Sequence, residues 1–495
     1  MLHWKKIGAG TALSAIMGST ATYADVTADQ VWQAWTSYYT SFGYELAVGS
    51  QKMDGNTLVI ADAVFTSNLP EGDATTTITV PEVRLQEMGD GTVGVVMSQE
   101  IPMDVSSKTE DETVEMSMIM RQTDMLTTVS GTPENMAYDI TAPELVLEMD
   151  EVVTNGKSQP VKLRVALTDS VGAYAMDTTS GSQIQSDFSS AKLTFTASGA
   201  DPESGTTFNM NGDVADLKML GNIVMPAGVD LTDMAGALNM GMKMSGNLTY
   251  GAGKYTMDFD GAEGAGKVTS SADTGNFNFA MSDAGLGYGG GGTNAVVEMT
   301  VPTMPFPINA SIDETLVNFA IPVTKSDGPA PFEGTIKMVG LSVSEQLWSM
   351  IDPTAQLPHD AATLIVDLAG TATLMTDLFD PAMAEGATPP GELNSLDVKE
   401  VQVTVAGAEL TGNGAMTFDN STGTPMPLGA LDLKLAGANA LMDKLVAMGL
   451  LPQDQVMGAR MMMGLFTVPT GDDELTSKIE FKEGGSIFAN GQQLQ

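Results

Sequence analysis

The sequence predicts a mainly β (β-rich α+β) protein with a long antiparallel meander sheet, curved or rolled, and a few short helices at the N-terminus, middle and C-terminus. Three observations predict this fold class. Apolar and polar residues alternate in many segments, hairpin-type turns separate these segments, and helical spacing of apolar residues is confined to a few places. Hydrophobic residues make up 43% of the 495 residues, which is enough for a large apolar interior.

The first 24 residues have the layout of a secretory signal peptide. Lys5 and Lys6 give a basic start, residues 7–19 form a short apolar stretch, and Ala24 is a small residue before Asp25. We therefore predict cleavage after Ala24 and secretion across the inner membrane to the periplasm, with an uncleaved anchor as the alternative. No later stretch reaches the about 18 apolar residues of a membrane helix, so we expect no transmembrane segment in the mature chain.

Helices and strands alternate along the chain in the following order. A capping-box pattern from Thr27 to Gln30 opens a helix with an aromatic face, which ends at Gly43. Strand-like alternation then begins, and it is clearest at 44–48, 58–60, 193–195, 277–281, 401–405 and 479–481. Further helices are predicted near 231–242, 344–351, 439–448 and 453–466.

The glycine-rich segment 285–292 (GLGYGGGG) is the most flexible stretch by composition. We place a boundary there, between a β-rich region 25–284 that begins with the amphipathic helix and a β-rich region 293–495 that ends in two closing helices. A tight hairpin loop at 285–292 and one continuous domain are the alternatives. Hairpin turns are predicted at Asn211-Gly212, Asp327-Gly328 and Asn490-Gly491.

Composition excludes several classes of function. The chain has 62 Asp+Glu against 22 Lys+Arg, a net charge of −40, no cysteine and two histidines. An acidic surface repels phosphate backbones, so we expect no nucleic-acid partner. After signal cleavage His359 is the only imidazole, and most catalytic and metal-binding templates are therefore closed. We predict no enzymatic activity, no catalytic residues and no cofactor.

Three segments match the letters of known motifs without the required strand-to-helix context. Segment 261–267 resembles a phosphate loop, 285–290 a dinucleotide fingerprint, and 189–192 a Ser-x-x-Lys nucleophile. We interpret all three as loops or strands.

Methionine is unusually frequent, with 36 residues. Alternate residues of a strand share one face, so Met240, Met242 and Met244 are candidate thioether ligands for Cu(I). Methionine is also a flexible filler of irregular apolar spaces, and packing is the favoured interpretation.

Several segments resemble the proteobacterial exported family called domain of unknown function 2125. They are LWSMIDP (347–353), LFDP (378–381), AELTGNGAMTFDN (408–420), KLVAMGLLP (444–452), MGARMM (457–462) and ANGQ (489–492). The Val31-Trp32 helix and the Asp54-Gly55 hairpin are similar too, so the resemblance spans nearly the whole mature chain. It implies no catalytic residues. More loosely, the chain is similar to AsmA-like envelope proteins, whose long curled sheets offer an apolar groove to lipid.

These observations lead to one hypothesis and two alternatives. Strands 277–281 and 401–405, with the methionine-rich strands, would form a curved sheet whose apolar face binds a lipid or another apolar envelope component. The C-terminal helices would close one end of it with Leu441, Leu445, Met457 and Met461. The alternatives are a structural or interaction scaffold with an envelope protein partner, and Cu(I) binding.

Overall fold

The computed structural model describes residues 25–41, 43–69, 74–109, 112–201, 204–231, 233–380, 383 and 390–494. The predicted signal peptide, with its cleavage site at Ala24, lies outside these residues, so its cleavage stays a prediction.

Five short helices lie where the sequence predicts helices, to within a few residues. They are α1 Ala28–Ser41, α2 Met234–Asn239, α3 Glu345–Ile351, α4 Ala438–Ala447 and α5 Gln453–Phe466. The capping box of α1 is formed, because the Thr27 N–H donates to Gln30 Oε1 at 2.9 Å and the Gln30 N–H donates to Thr27 Oγ1 at 3.3 Å.

Strands dominate the rest of the chain, which confirms the mainly β prediction. They are β1 Tyr44–Asp54, β2 Thr57–Leu69, β3 Ala74–Glu87, β4 Val93–Met97, β5 Glu100–Lys108, β6 Thr113–Thr123, β7 Leu126–Thr132, β8 Asn135–Thr154, β9 Lys157–Gln159, β10 Lys162–Asp177, β11 Gly181–Ala200, β12 Thr207–Pro226, β13 Lys243–Tyr250, β14 Gly253–Gly261, β15 Gly264–Ala272, β16 Thr274–Ser282, β17 Gly285–Thr300, β18 Ile308–Ile321, β19 Ala330–Val343, β20 Ala362–Leu374, β21 Gly391–Val405, β22 Ala408–Asp419, β23 Met426–Ala436, β24 Val468–Gly471, β25 Glu474–Lys482, β26 Ser486–Ala489 and β27 Gln492–Gln493.

All strands belong to one antiparallel sheet of meander type. Long strands pair with their sequence neighbours, and elsewhere two short strands lie end to end and together pair with one long strand. Thus β12 pairs with β13 along one half and with β14 along the other, and β17 pairs in the same way with β16 and β15. The sheet therefore grows strand by strand, with short connections.

A crease runs across the strands from β2 to β19. We define it by mid-strand residues with positive φ, namely Asp62, Asp169, Asp216, Asn294 and Gly340, whose φ angles lie between 51° and 73°. Register is the same on both sides of Asp62, Asp169 and Asp216, so no residue is inserted. Asp and Asn tolerate this left-handed conformation better than most residues, and Gly adopts it freely.

The crease turns the apolar side of both strand halves toward the same interior. In β2 the residues that join the main core are Leu58 and Ile60 before Asp62, and Ala63 and Phe65 after it. All four belong to one core cluster. Because the positions that join the core change from even to odd at Asp62, the strand bends there instead of turning its core-facing side outward. We call this apolar side the inner face.

The main core fills only the N-terminal end of the interior. There α1 buries Val31 and Trp32 against the inner face of the first strands. The other buried members are Val26, Ala28, Leu58, Ile60, Ala63, Phe65, Val80, Val83, Leu85, Val93, Val95, Ile101, Val129, Met136 and Tyr138. A smaller cluster of four buried residues surrounds α2: Ala237, Leu238, Met242 and Val323.

Two local predictions are wrong. Segment 285–292 is not a flexible loop but part of β17, paired on both sides with β16 and β18. Asn211-Gly212 is not a turn but lies inside β12. In both places glycine serves close side-chain or backbone approach within the sheet rather than chain reversal. The division into regions 25–284 and 293–495 stays a prediction.

Candidate functional site

An unbroken row of directly paired inner-face residues crosses twelve strands from β11 to β25. We call it the central row: Phe188, Met219, Leu248, Phe277, Gly290, Val317, Ile336, Val366, Val401, Gly412, Leu433 and Ser477. Opposite residues of an antiparallel pair project to the same face. With about 4.8 Å between strands, the row is roughly 50 Å long.

The central row and the next inner row contain no charged residue. That second row consists of Tyr174, Ser186, Gly221, Gly246, Phe279, Tyr288, Phe319, Gly334, Leu368, Val398, Gly414, Leu431 and Ile479. The row between them faces outward and is polar except for Leu220 and Gly289. It consists of Asp187, Leu220, Asn247, Asn278, Gly289, Asn318, Thr335, Asp367 and Glu400. The sheet is therefore amphipathic across its width, with its acidic residues on the outer face.

The inner face is accessible to solvent beyond the main core. Eight of its large side chains are between 37% and 51% exposed: Met219, Tyr255, Phe277, Tyr288, Val297, Val317, Ile321 and Ile336. Single exposed apolar residues are ordinary, but a contiguous apolar surface indicates a binding site. We call this exposed inner face the apolar groove.

Aromatic rings on the inner face lie over glycines of the neighbouring strand. The ring of Phe195 covers Gly212, that of Phe259 covers Gly266, and that of Tyr250 covers Gly275, each across a direct strand pair. A Cβ atom at any of these glycines would overlap the ring. The glycines thus let the rings lie close to the sheet, which leaves space above them.

The groove is filled at its N-terminal end. Tyr138 of β8 and Tyr174 of β10 are directly paired and stacked, with ring centroids 4.1 Å apart. Tyr138 is 1% exposed and belongs to the main core. Burial raises the pKa of both phenols above the ordinary value, so both stay neutral.

At its C-terminal end the groove leads to an apolar cavity of about 420 Å³. Its lining is aliphatic and aromatic apart from two hydroxyl residues: Leu410, Leu433, Leu435, Phe466, Thr467, Leu475, Ser477, Ile479, Phe481 and Ile487. Leu433 and Ser477 also belong to the central row, so cavity and groove are continuous. This size and chemistry suit an apolar ligand.

A second cavity, of about 600 Å³, involves mainly polar residues of the outer face of the same strands. Its lysines are Lys399, Lys434 and Lys478. Lys434 Nζ lies 3.0 Å from Glu474 and Lys399 Nζ lies 3.7 Å from Asp367. Carboxylates balance these two charges, and Glu400 and Asp432 also line the cavity, which weakens it as an anion site.

The three candidate copper ligands do not lie on one strand face. Met240 caps the end of α2 and is 52% exposed, Met242 is fully buried, and only Met244 lies in β13. Met242 and Met244 both pack in the cluster around α2. Cu(I) binding stays a prediction, but the three methionines do not alternate along one strand as that prediction assumed.

Methionines also pair across the first half of the sheet. Met103, Met118 and Met149 lie directly opposite one another on β5, β6 and β8. They extend the inner face toward Leu163 of β10. This arrangement favours the interpretation of methionine as adaptable apolar lining.

His359 has structural contacts in a loop after α3. Its ring stacks on Trp348 with centroids 4.4 Å apart, and its Nδ1 lies 3.0 Å from Glu345 Oε2. Nearby, burial of Asp352 acts to raise its pKa, but backbone N–H groups of Gln356 and Leu357 lower it below the ordinary value. The Leu357 N–H lies 2.5 Å from Asp352 Oδ2. This geometry indicates a structural role for the histidine.

The C-terminal helices differ from the prediction that their apolar residues close the sheet. Leu441 and Leu445 are partly buried, but Met457 and Met461 are 65% and 69% exposed. The residue of α5 that reaches the cavity is Phe466. Sequence reasoning missed it because Phe466 lies off the stripe formed by Met457 and Met461.

The sequence identified the alternation at 277–281 and 401–405, and the structure places these residues on one inner face. It did not identify Gly290 of segment 285–292 as groove lining. The signal that could have revealed it is the alternation of Leu286 and Tyr288 with glycines, which continues the strand period into this segment.

Within the described residues, no helix is long and apolar enough to cross a membrane. In the same part of the chain, no group of three or more His, Asp or Glu side chains is placed to hold a metal ion.

Residues 296–488 match the model of a family described as "Uncharacterized protein conserved in bacteria", DUF2125. This match confirms the resemblance for that part of the chain, while the looser similarity to AsmA-like proteins stays a prediction. No curated protein matches the chain. Among solved structures, the alcaligin outer membrane receptor FauA from Bordetella pertussis matches 90% of this chain and 70% of its own, with 9% identity and a TM-score of 0.15.

Proposed function

We propose that this chain, whose residues 296–488 belong to the bacterial DUF2125 family, is an exported, non-enzymatic protein that binds the acyl chains of a lipid in the apolar groove. The observation that carries the proposal is the central row, which is uncharged over twelve paired strands and exposed to solvent at Met219, Phe277, Val317 and Ile336.

The dimensions of the groove suit acyl chains. One leaflet of a bilayer has a hydrocarbon depth of about 15 Å, which is the length of one ordered chain. The central row is more than three times that length. Each methylene transferred from water to an apolar surface contributes about 0.8 kcal/mol, so even partial burial of one chain would give stable binding.

The outer face supports a location in an aqueous compartment. Asp, Asn and Thr residues line the outer row, and the chain carries a charge of −40, which keeps a protein soluble. The predicted signal peptide at residues 1–24 supports export to the periplasm. The groove would then shield acyl chains from water between membranes.

The test is native mass spectrometry of the protein purified without detergent, followed by organic extraction. We expect a co-purifying phospholipid near one or more per chain. The informative variant is Phe277→Asp, which places a carboxylate in the central row, where an unpaired charge facing acyl chains is costly. Bound lipid should fall by about tenfold or more.

The matched control is Asn276→Asp. Asn276 is the exposed neighbour of Phe277 and lies on the opposite face of β16. The variant therefore introduces the same charge outside the groove. It should leave bound lipid unchanged. A protein that purifies lipid-free and takes up no phosphatidylethanolamine from vesicles would contradict the proposal and favour the scaffold alternative. Retention of copper that depends on Met242 and Met244 would favour the Cu(I) alternative.

A further inference from the structure

Helix α5 presents an apolar surface that nothing in the described part of the chain covers. Met457, Met461 and Leu465 are spaced four residues apart, so they lie along one side of the helix. They are 65%, 69% and 54% exposed. We call these three residues the α5 stripe. Met462 of the same helix and Leu450 of the α4–α5 connection are also exposed, at 52% and 51%.

Polar contacts hold α5 against α4 away from the stripe. Arg460 Nη2 pairs with Asp443 at 2.7 Å, and Arg460 Nε donates to Asn439 Oδ1 at 3.0 Å. Asp473 fixes the start of α4 by accepting from the N–H groups of Asn439 and Ala440 at 3.1 and 2.9 Å. The helix pair is therefore tied to the sheet, and the stripe faces solvent.

The helix pair is electrically neutral within a strongly acidic chain. Between residues 438 and 467, Lys444 and Arg460 balance Asp443 and Asp454. The net charge of this segment is 2 − 2 = 0, against −40 for the chain. A lipid surface is therefore not repelled here as it is by the rest of the protein.

The stripe adjoins the open end of the groove. Leu465 is followed by Phe466, whose side chain lines the 420 Å³ cavity. The opposite end is filled by α1 and by the stacked pair Tyr138 and Tyr174. A ligand that enters from an end must therefore enter beside α5.

We propose that the α5 stripe inserts into the surface of a zwitterionic phospholipid bilayer and places the C-terminal cavity at the membrane, so that acyl chains enter the groove past Phe466. This inference rests on the proposed function, because it names the source of the bound lipid. An apolar helical stripe of Met and Leu with no net charge beside it matches a helix that lies in the interface rather than one drawn to anionic lipid. Met side chains adapt to a disordered surface.

The experiment is vesicle flotation of the protein with phosphatidylcholine and phosphatidylethanolamine. We expect the wild-type protein to float, independently of salt because the segment is neutral. Addition of phosphatidylglycerol should weaken binding at low salt, since the chain is acidic. The triple variant Met457→Ser, Met461→Ser, Leu465→Ser should lower the bound fraction about tenfold.

The control is a triple variant of exposed methionines elsewhere: Met53→Ser, Met88→Ser, Met350→Ser. These residues are 49%, 57% and 58% exposed, so it removes similar apolar surface away from α5. It should float like the wild type. Equal flotation of the two triple variants would overturn the inference, as would a wild-type protein that stays off neutral vesicles or whose stripe instead binds a purified protein partner.

Lipid content separates the two proposals. If the α5 variant fails to float but still carries lipid after slow loading, the groove and the docking surface are both supported. If the wild type carries lipid but never floats, the groove stands and docking is wrong. If the wild type floats but never carries lipid, the proposed function is wrong.

Discussion

Tyr138 and Tyr174 stack face to face, with ring centroids 4.1 Å apart and an angle of 8° between their planes. They mark the point at which the interior changes from a filled core to an open surface. On one side lie α1 and the main core, and on the other the central row is exposed to solvent. One continuous inner face thus serves as a core at one end and as a groove along the rest.

We expect Tyr174→Ala to lower the free energy of unfolding by about 3 kcal/mol, because it removes a ring that packs on the main core. Tyr174→Phe keeps the stacking and should cost about 1 kcal/mol or less. Urea unfolding followed by fluorescence measures both. Tyr255→Ala, in the exposed part of the inner face, is the comparison and should cost clearly less. Equal losses at the two sites would show that the stacked pair does not close the core.

The positive φ angles of the crease lead to a prediction about the stability of variants at Asp216. Asp216 has φ of 52° in the middle of β12. Asp216→Gly relieves the left-handed strain and should leave stability within about 1 kcal/mol of wild type, whereas Asp216→Val should destabilise by roughly 1–2 kcal/mol or more. Thermal unfolding of the two variants decides this. If valine were tolerated as well as glycine, the strand would not bend at this residue.

Much of the fold could be predicted from the sequence because alternation and helical spacing are local signals. The bounds of α5, 453–466, agree with the prediction, and the alternating strands lie on one inner face. The crease could not be predicted, since Asp62, Asp169 and Asp216 look like ordinary polar interruptions. Only pairing with neighbouring strands shows that they align across the sheet.

The sequence predicted that an apolar groove exists, but it did not predict which residues line it. Segment 285–292 looked flexible because glycine permits loops, yet in β17 it is paired on both sides, and Gly290 lies between Phe277 and Val317. The exposure of Met457 and Met461 was not predictable either. Helical spacing shows that residues share a side, but it does not show whether anything covers that side.

Acid should loosen the attachment of the C-terminal helices. Burial of Asp473 acts to raise its pKa, but hydrogen bonds from Ala440 and Asn439 and the charge of Arg460 lower it below the ordinary value. A lowered pKa in the folded state gives stability above the unfolded value of about 3.9, and this stability is lost as the pH falls through the folded pKa.

The variant Asp473→Asn isolates this effect, because asparagine tolerates the positive φ of 50° at this position. We expect it to cost about 1 kcal/mol at pH 7, as for other helix caps. Urea midpoints of wild type and variant should approach each other as the pH falls below about 4, because the stability from a carboxylate with a lowered folded pKa is lost below its unfolded value. A difference that is independent of pH would show that the carboxylate charge does not stabilise α4.

The pairing of glycine with aromatic rings predicts opposite effects of one substitution at two inner-face glycines. Valine normally favours strands over glycine by up to about 1 kcal/mol. At Gly266 a Cβ would overlap the ring of Phe259, so Gly266→Val should destabilise by about 1–3 kcal/mol. At Gly246 the nearest atom to a Cβ is the Leu220 carbonyl oxygen at 3.8 Å, and Gly246→Val should be neutral or stabilising. Thermal unfolding of the two variants compares them directly. Stabilisation by Gly266→Val would mean that the Phe259 ring moves away from the sheet readily. The aromatic rings would then be mobile parts of the groove lining rather than fixed ones.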